Sequence, residues 1–215
     1  MFRDRTEAGE RLGEALVRLG PLRDALVLAI PRGGILVGAA VSRLVGCPLD
    51  VFITRKIGAP GNPELAVGAI TETGFLHCNE DLVARLCSPE FLEQERRRQE
   101  TEIERQRTLY RDGRSLPPLA GKSVILVDDG LATGATYLAS IQALKAADVG
   151  RLIAAVPVSP PETAETIAAR VDHCVILETP SGFRSVGDHY EDFRQVTDDE
   201  VVRYLAAGQG SRHSA

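Results

Sequence analysis

The chain has 215 residues, of which 44% are hydrophobic and 26% are charged, and its formal net charge is −5. These values are typical of one globular domain with a sizeable core and a small appendage. The negative charge gives no electrostatic reason for nucleic-acid binding. The longest apolar run, at 25–30, is far shorter than the roughly 18 residues that a membrane-spanning helix needs. We therefore expect no nucleic-acid partner and no membrane contact. Because the N-terminus lacks the apolar segment of a signal peptide, we expect a cytoplasmic protein.

Hydrophobic periodicity predicts alternating helices and strands along most of the chain. Helices are predicted at 6–19, 35–45, 89–112, 134–147 and 161–170, with a last one starting near Asp198 or Asp199 as its cap. Strands are predicted at 25–31, 49–57, 124–128, 151–158 and 173–178, with a loop at 58–64 and a hairpin made of 66–70 and 75–78. This alternation favours an α/β fold with a mostly parallel sheet flanked by helices.

The predicted helix at 89–112 is heavily charged but electrically balanced. Seven acidic residues and seven arginines lie between Glu90 and Arg114, which is typical of a salt-bridged solvent face. Its few apolar positions indicate docking either on the body of the protein or on a second subunit, so a homodimer is one hypothesis. These positions are Phe91, Leu92, Ile103, Leu109 and Tyr110.

The C-terminal part of the chain has a different character. Residues 181–196 fit no regular period and hold much of the scarce aromatic content. We predict a core domain over 1–180 that includes the charged helix, and a small hood with a C-terminal helix over 181–215. The last residues, 208–215, are expected to fray.

The stretch VILVDDGLATGAT at 124–136 joins a predicted buried strand to a helix through a loop of small residues. In a parallel sheet, ligands bind beyond the carboxyl ends of the strands, where loops lead into helix N-termini. Gly130 and Gly134 allow the loop to turn its backbone N–H groups inward, and Thr133 and Thr136 add hydroxyl donors. The sequence therefore predicts a phosphate site at the mouth of this strand.

Asp128 and Asp129 stand between that strand and the phosphate loop. They would repel a phosphate that they faced, so we expect them to face neutral hydroxyls or a divalent cation. A vicinal diol about one sugar ring from a phosphate meets both demands, which predicts a ribose 5-phosphate moiety as ligand. The alternative is that the two aspartates cap the next helix and the loop is an ordinary turn.

Other common sites are absent from the sequence. It contains neither a P-loop nor a G-x-G-x-x-G motif. Its four cysteines and four histidines show no metal-ligand spacing, and we expect the cysteines to be buried free thiols.

With two further motifs, this stretch resembles the type I phosphoribosyltransferases. VILVDDGLATGAT looks like the version found in adenine phosphoribosyltransferases, and RGGILVG at 32–38 and ITRKIGAPG at 53–61 are similar to the family's R-G-x-x-x-G and R-K-x-G segments. Over its whole length the chain resembles the uncharacterised predicted phosphoribosyltransferases. The resemblance implies the type I fold and transfer of the phosphoribosyl group of phosphoribosyl pyrophosphate (PRPP) to a nitrogenous base. Mg²⁺ would be the cofactor and pyrophosphate the product.

The resemblance also implies roles by position. Asp128 and Asp129 would hold the ribose hydroxyls and meet Mg²⁺ indirectly, and the loop 131–136 would bind the 5-phosphate. Arg32 and Gly33 would lie in the pyrophosphate loop. The implied catalytic residues are Asp128, Asp129, Arg32 and Lys56. The implied PRPP-binding residues are Gly33, Arg55, Leu131, Ala132, Thr133, Gly134, Ala135 and Thr136. The residues alone also allow two alternatives: Arg32 could be a solvated arginine of a turn, and Arg55 could make a structural salt bridge.

The hood loosely resembles that of the hypoxanthine-guanine enzymes. By this resemblance Phe183 is the candidate for stacking on the base and Asp188 a candidate for contacting metal or pyrophosphate; the alternative for Phe183 is packing into the core. Ala132 stands where those enzymes carry an aspartate that acts as a base toward the purine, which argues against their substrate. Loop 58–64 with the hairpin after it is the candidate for a lid that excludes water.

Three functional hypotheses follow from these residues. The first is Mg²⁺-dependent phosphoribosyl transfer from PRPP to a base. The second is a PRPP- or nucleotide-binding regulatory protein on the same fold, and the third is an enzyme that hydrolyses or phosphorolyses nucleoside phosphates.

Overall fold

The computed structural model describes residues 1–22 and 24–210. The helices are α1 Arg5–Val17, α2 Gly34–Val45, α3 Glu80–Leu86, α4 Pro89–Arg111, α5 Ala135–Ala146, α6 Pro161–Ala168 and α7 Asp198–Gly210. The strands are β1 Ala25–Ala29, β2 Leu49–Val51, β3 Thr54–Ala59, β4 Asn62–Thr71, β5 Leu76–Cys78, β6 Ser123–Val127, β7 Arg151–Val158 and β8 His173–Glu178. No helix in these described ranges has the length and apolarity needed to cross a membrane.

Five strands form a parallel sheet in the order β2-β1-β6-β7-β8. Alternate side chains of each strand enter opposite cores: Val27 packs on the side of α1 and α2, while Leu28 packs on the side of α5. A strand that is covered on both faces has no polar face, which explains the continuous apolar runs in the sequence. The predicted α/β class, with a mostly parallel sheet flanked by helices, is confirmed.

The sheet places two loops beside each other. β1 continues through α2 to β2 on one side, whereas β6 continues through α5 to β7 on the other side. The direction of the connections therefore reverses between β1 and β6. A crevice opens at the carboxyl ends of strands where this reversal occurs, and here it lies between the loops 31–34 and 128–136.

The predicted single strand at 49–57 is wrong. β2 ends at Val51, and β3 starts a separate antiparallel sheet of three strands in the order β3-β4-β5. Between the two sheets, the Ile53 N–H donates to the side chain of Glu72 (2.8 Å) and the Glu72 N–H donates to the Ile53 carbonyl (2.8 Å). These two hydrogen bonds divide the apolar run 49–57 between the two sheets, although its periodicity predicts one continuous strand.

The predicted loop at 58–64 is also wrong for most of its length. Gly58 and Ala59 belong to β3 and residues from Asn62 onward belong to β4, so only Pro60 and Gly61 make the turn. Gly61 has a φ of +71°, which suits glycine at a tight turn. The predicted hairpin at 66–78 is confirmed in β4 and β5. The short helix α3 was not predicted from the sequence.

The charged helix α4 is confirmed, and it docks on the body of the protein. Ile103 and Tyr110 are buried in the main core, and Leu92 packs against the β3–β4 hairpin. At the end of α4, the buried guanidinium of Arg111 pairs with Glu72. The helix therefore links the two sheets.

The segment after β8 has little regular structure, as expected, apart from a 3-10 turn at Gly187–His189. α7 begins at Asp198, but the expected cap at Asp198 or Asp199 is wrong. Thr197 is the cap: its hydroxyl accepts from the Glu200 N–H (3.3 Å), and the Glu200 carboxylate accepts from the Thr197 N–H (3.0 Å).

The predicted fray at 208–215 is wrong for Gly208–Gly210, which belong to α7, and 211–215 lie outside the described residues. Of the four cysteines, which are free thiols, only Cys47 is fully buried. The other three are half-buried, so the expectation of burial is only partly met.

Tyr137 gives a first stability prediction. Its buried hydroxyl donates to the Leu126 carbonyl (2.6 Å) and accepts from the Ala155 N–H (3.1 Å), so α5 is bonded to β6 and β7. Tyr137→Phe leaves two buried backbone groups without this partner, and we expect a loss of about 1–3 kcal/mol in the free energy of unfolding. Urea denaturation measures it. Tyr204→Phe is the control, because Tyr204 is a half-buried residue whose hydroxyl makes no hydrogen bond within the described part of the chain. Equal losses in both variants would refute the assigned role of Tyr137.

A second prediction concerns the ion pair between Arg111 and Glu72, whose side chains are 3% and 4% exposed. Arg111→Met strands a buried carboxylate, and we expect it to lower the free energy of unfolding by about 3–5 kcal/mol. Arg97→Met, which removes a 75% exposed arginine from the same helix, should change stability little. Both are measured in denaturant at neutral pH. If the two variants are equally stable, the pair does not hold the sheets together.

Candidate active site

The acidic pair and the glycines of the β1–α2 loop meet in the crevice at the reversal point. A side-chain carbon added to Gly33 would lie 1.9 Å from Asp129 Oδ2, and one added to Gly34 would lie 3.1 Å from the Cα of Asp128. No Cβ tolerates the first distance, so the loop can lie directly on the acidic pair only because glycine stands there. The structure thus brings Gly33 together with Asp128 and Asp129. In the same loop, the peptide bond between Pro31 and Arg32 is cis.

Asp129 is held by three contacts. Its Oδ2 accepts from Arg5 Nε at 2.7 Å, with the two side chains 15% and 7% exposed. Its carbonyl accepts from the Tyr190 hydroxyl at 2.5 Å, and its N–H donates to Asp128 Oδ1 at 2.8 Å. The two carboxylates therefore have different surroundings, since within 1–22 and 24–210 only Asp129 forms an ion pair with a guanidinium.

Burial makes ionisation of this pair costly. Burial raises the pKa of Asp128 well above its ordinary value, and the neighbouring charge of Asp129 raises it further. Burial also raises the pKa of Asp129, against the opposing effect of the Arg5 guanidinium. Carboxyl groups whose pKa is raised by burial, and which lie in a crevice, are typical of a functional site.

The loop 131–136, which we call the phosphate loop after its predicted ligand, is fixed at its base and open at its tip. The Leu131 N–H donates to the Val158 carbonyl (2.9 Å), and the Thr163 hydroxyl donates to the Ala132 carbonyl (3.0 Å). Gly134 has a φ of +70° and directly precedes α5, whose first N–H groups have no acceptor within the helix. Ala132 and Thr133 are exposed to solvent. This arrangement leaves donors at a helix N-terminus free for an anion.

Arg32 lies at the rim of the crevice, where its side chain is 40% exposed. Its Nη1 is 3.7 Å from Asp198 Oδ1 at the start of α7. The same carboxylate accepts from Arg105 Nη2 (2.9 Å) and from the Tyr110 hydroxyl (2.6 Å), both on α4. α4 and α7 together therefore position Arg32 through Asp198.

Arg55 and Lys56 are adjacent in β3, so their side chains leave opposite faces of the strand. Arg55 Nε donates to Gln99 Oε1 of α4 at 3.0 Å. Thr54, on the other face, shares a hydrogen bond of 2.8 Å with Ser140 of α5, the helix that follows the phosphate loop. Alternation places Lys56 on this second face. Arg55 therefore faces α4, and both residues border the groove between the β3–β4 hairpin and α4.

The hood residues contact the loop 128–136 after β6, which we call the signature loop. A side-chain carbon on Gly130 would lie 2.5 Å from Val186 Cγ1, so the hood packs tightly on this loop. Phe183 is half-buried among apolar residues, and its ring stacks on His189 at a centroid distance of 5.5 Å. Asp188 is 45% exposed and lies 3.5 Å from Arg184. Phe183 as base-stacking residue and Asp188 as metal or pyrophosphate ligand both stay predictions.

Three residues of this site were missed in the sequence: Arg5, Tyr190 and Asp198. A single arginine in a charged N-terminal helix is indistinguishable from a surface residue, and Asp198 was interpreted only as a helix cap. The concentration of aromatic residues in 181–196 was the one available signal for Tyr190. The contacts of these three residues with Asp129 and Arg32 depend on the tertiary structure.

The solved structure of the protein TT1426 from Thermus thermophilus is similar to this chain throughout. The two share 42% sequence identity with a TM-score of 0.81, and the match covers 96% of this chain and 98% of that one. Two strains of Mycobacterium tuberculosis provide curated relatives, "Putative phosphoribosyl transferase Rv0571c" and its counterpart MT0597. Each is 39% identical over 206 residues, covering 95% of this chain. The chain spans 46% of the length of these relatives.

The family model described as "Phosphoribosyl transferase domain" matches residues 8–191. That range contains both loops of the crevice, the acidic pair and the hood residues that pack on them. The chain therefore belongs to the phosphoribosyltransferase family.

Proposed function

We propose that the chain catalyses the Mg²⁺-dependent transfer of the phosphoribosyl group of PRPP to a nitrogenous base, with release of pyrophosphate. The observation that carries the proposal is the junction of a half-buried acidic pair with an open loop at a helix N-terminus, at the reversal point of the sheet. A ribose 5-phosphate has a diol at one end and a phosphate at the other, which matches this junction.

The ribose 5-phosphate is proposed to span the junction. The loop 131–136 binds the 5-phosphate through backbone N–H groups, with Thr133 and Thr136 as further donors. The ribose hydroxyls lie at the acidic end of the junction, beside Asp128. Gly33 lets the pyrophosphate loop approach the same pair, and Arg32 at the rim is accessible to the pyrophosphate.

In the reaction the bond between the anomeric carbon and the pyrophosphate oxygen breaks and a carbon–nitrogen bond to the base forms. The ring becomes oxocarbenium-like while negative charge grows on the pyrophosphate. Arg32 and Lys56 stabilise that charge, and the carboxylate of Asp128 lies near the cationic ring. Closure of the β3–β4 hairpin over the site would exclude water.

The acidic pair fits a Mg²⁺ ion that is shared with the substrate. The described residues contain no group of three or more His, Cys, Asp or Glu side chains placed to hold a metal. Mg²⁺ is commonly bound through one or two carboxylates together with substrate phosphates, and Asp128 and Asp129 are suited to that part. When bound, the ion would neutralise charge on the leaving pyrophosphate.

The accepting base stays open within this proposal. Ala132 has no group that can take a proton from a purine nitrogen, which disfavours the route of the hypoxanthine-guanine enzymes. Phe183 is proposed to contact the base. The base would then either replace His189 as the stacking partner of the Phe183 ring or stack on the opposite face of that ring.

The activity is tested by incubating the protein with PRPP, Mg²⁺ and a panel of purine and pyrimidine bases. We expect pyrophosphate release that depends on one base, together with the corresponding nucleotide by mass spectrometry. Tight PRPP binding without release in any mixture would instead support a regulatory protein, and release of ribose 5-phosphate without a base would support a hydrolase.

The acidic pair gives a direct prediction. Asp128→Asn with Asp129→Asn should lower kcat/KM by about 10²–10³-fold or more, because both charges near the developing cation are lost. Circular dichroism checks that the fold is kept. Asp81→Asn, on the exposed start of α3, is the control and should behave as wild type. Near-wild-type turnover in the double variant would refute the role of the pair.

A second prediction separates phosphate binding from backbone strain. Gly134 and Gly121 have nearly the same positive φ, +70° and +73°, so alanine strains both backbones. At Gly134 the added carbon also lies 2.8 Å from Thr163 Cγ2, whereas at Gly121 it meets nothing within 4 Å. We expect Gly134→Ala to weaken PRPP binding by about tenfold or more, because the loop must shift by a fraction of an ångström. Gly121→Ala should lose only stability.

Calorimetric titration with PRPP, and denaturation of the same samples, distinguish the two effects. Equal PRPP affinity in the two glycine variants would show that loop 131–136 does not bind the phosphate.

A further inference from the structure

Arg5 makes a set of contacts that the proposed chemistry does not yet use. It is the first residue of α1, yet its side chain is 7% exposed and its Nε donates to Asp129 Oδ2 at 2.7 Å. Oδ2 is also the atom against which Gly33 packs. This carboxylate oxygen is therefore enclosed by α1 on one side and by the β1–α2 loop on the other.

The rest of the Arg5 guanidinium is held by the segment after β8. Nη1 donates to the Arg194 carbonyl at 2.8 Å, and the guanidinium carbon lies 3.8 Å from the centre of the Phe193 ring. Tyr190 of the same segment donates to the Asp129 carbonyl at 2.5 Å. Arg5 is thus fixed by a hydrogen bond and a cation–π contact on the far side of its ion pair.

The two carboxylates consequently differ in whether a cationic side chain is paired with them. Asp129 is matched by Arg5 at ion-pair distance, whereas no basic side chain within the described part of the chain forms an ion pair with Asp128. The Arg5–Asp129 ion pair already engages the Asp129 carboxylate, so the carboxyl group of Asp128 is the one left available to a ligand. The planar guanidinium of Arg5 has enough donors to bond both the Asp129 carboxylate and the Arg194 carbonyl. A lysine would not reproduce both contacts.

We propose that Arg5 is a positioning residue of the ribose site: it neutralises and orients Asp129, ties the hood to the signature loop, and leaves Asp128 to bind the ribose diol. The inference rests on the proposed function, because it assigns different tasks to the two acidic residues of that site. It also gives the hood a reason to lie against the signature loop. The same guanidinium that fixes Asp129 fixes the backbone at Arg194.

The test is a charge cycle on PRPP affinity, measured by calorimetry with and without Mg²⁺. Arg5→Gln leaves the half-buried Asp129 charge unmatched, and we expect it to raise the Kd for PRPP by about 10–100-fold, the size of effect seen when an orienting partner is removed at a metal site. Asp129→Asn alone leaves the guanidinium unmatched and should also weaken binding. The combined variant Arg5→Gln/Asp129→Asn has no unmatched charge at this ion pair, so its Kd should be several-fold lower than that of Asp129→Asn alone.

Two further variants complete the design. Arg5→Lys keeps the positive charge but loses the planar guanidinium with its several N–H donors. We expect its Kd for PRPP to lie between those of wild type and Arg5→Gln. Arg11→Gln is the matched control on the same helix: Arg11 lies over the Phe2 ring at 4.6 Å and 3.6 Å from Glu178, away from the acidic pair, and its variant should bind PRPP as wild type does.

A purely structural role for Arg5 would lower the stability of Arg5→Gln without changing the Kd of the folded fraction, and that result would overturn the inference. So would a combined variant that binds no better than Asp129→Asn, because Asp129 would then contact the ribose itself. Wild-type protein that binds no PRPP would overturn the proposed function. Normal binding by both wild type and Arg5→Gln would overturn only the role of Arg5.

Discussion

Two adjacent carboxylates at the carboxyl end of β6 are largely withdrawn from water, and much of the architecture around the crevice compensates for this cost. Charge in a poorly solvated position has to be matched or hydrogen-bonded. Asp129 is matched by Arg5 and hydrogen-bonded by Tyr190, while Gly33 and Gly34 allow backbone to close over both carboxylates. Segments from both ends of the chain therefore converge on one point of the sheet.

A second network of buried charge joins the small sheet to the large one. Arg111 at the end of α4 pairs with Glu72 and lies 3.6 Å from Asp50 of β2. Further along the same helix and at the start of α7, Tyr110 and Asp198 meet beside Arg32. The charged helix thus supports the side of the crevice where Arg32 lies, and its exposed face carries the balanced ion pairs.

Much of the fold could be predicted because its strongest signals are local. Buried strands such as β6 and β7 are continuous apolar runs, and α4 carries helical charge spacing over 23 residues. Prediction failed where a distant group redirects the chain. The run at 49–57 divides between two sheets because Glu72 bonds the backbone at Ile53, and the cap of α7 is Thr197 because Glu200 reaches back to it.

Local sequence was enough to specify the α/β class, the acidic pair and the small-residue loop after it, because these depend on neighbours within a few positions. Which charges meet was settled only by the packing of separate elements. That packing placed Arg5 on Asp129 across 124 residues of sequence, turned Arg55 toward α4, and left Asp128 without a cationic partner among the described residues. Periodicity specifies which face of an element is buried, but the partner of a buried charge is fixed only when distant elements come into contact.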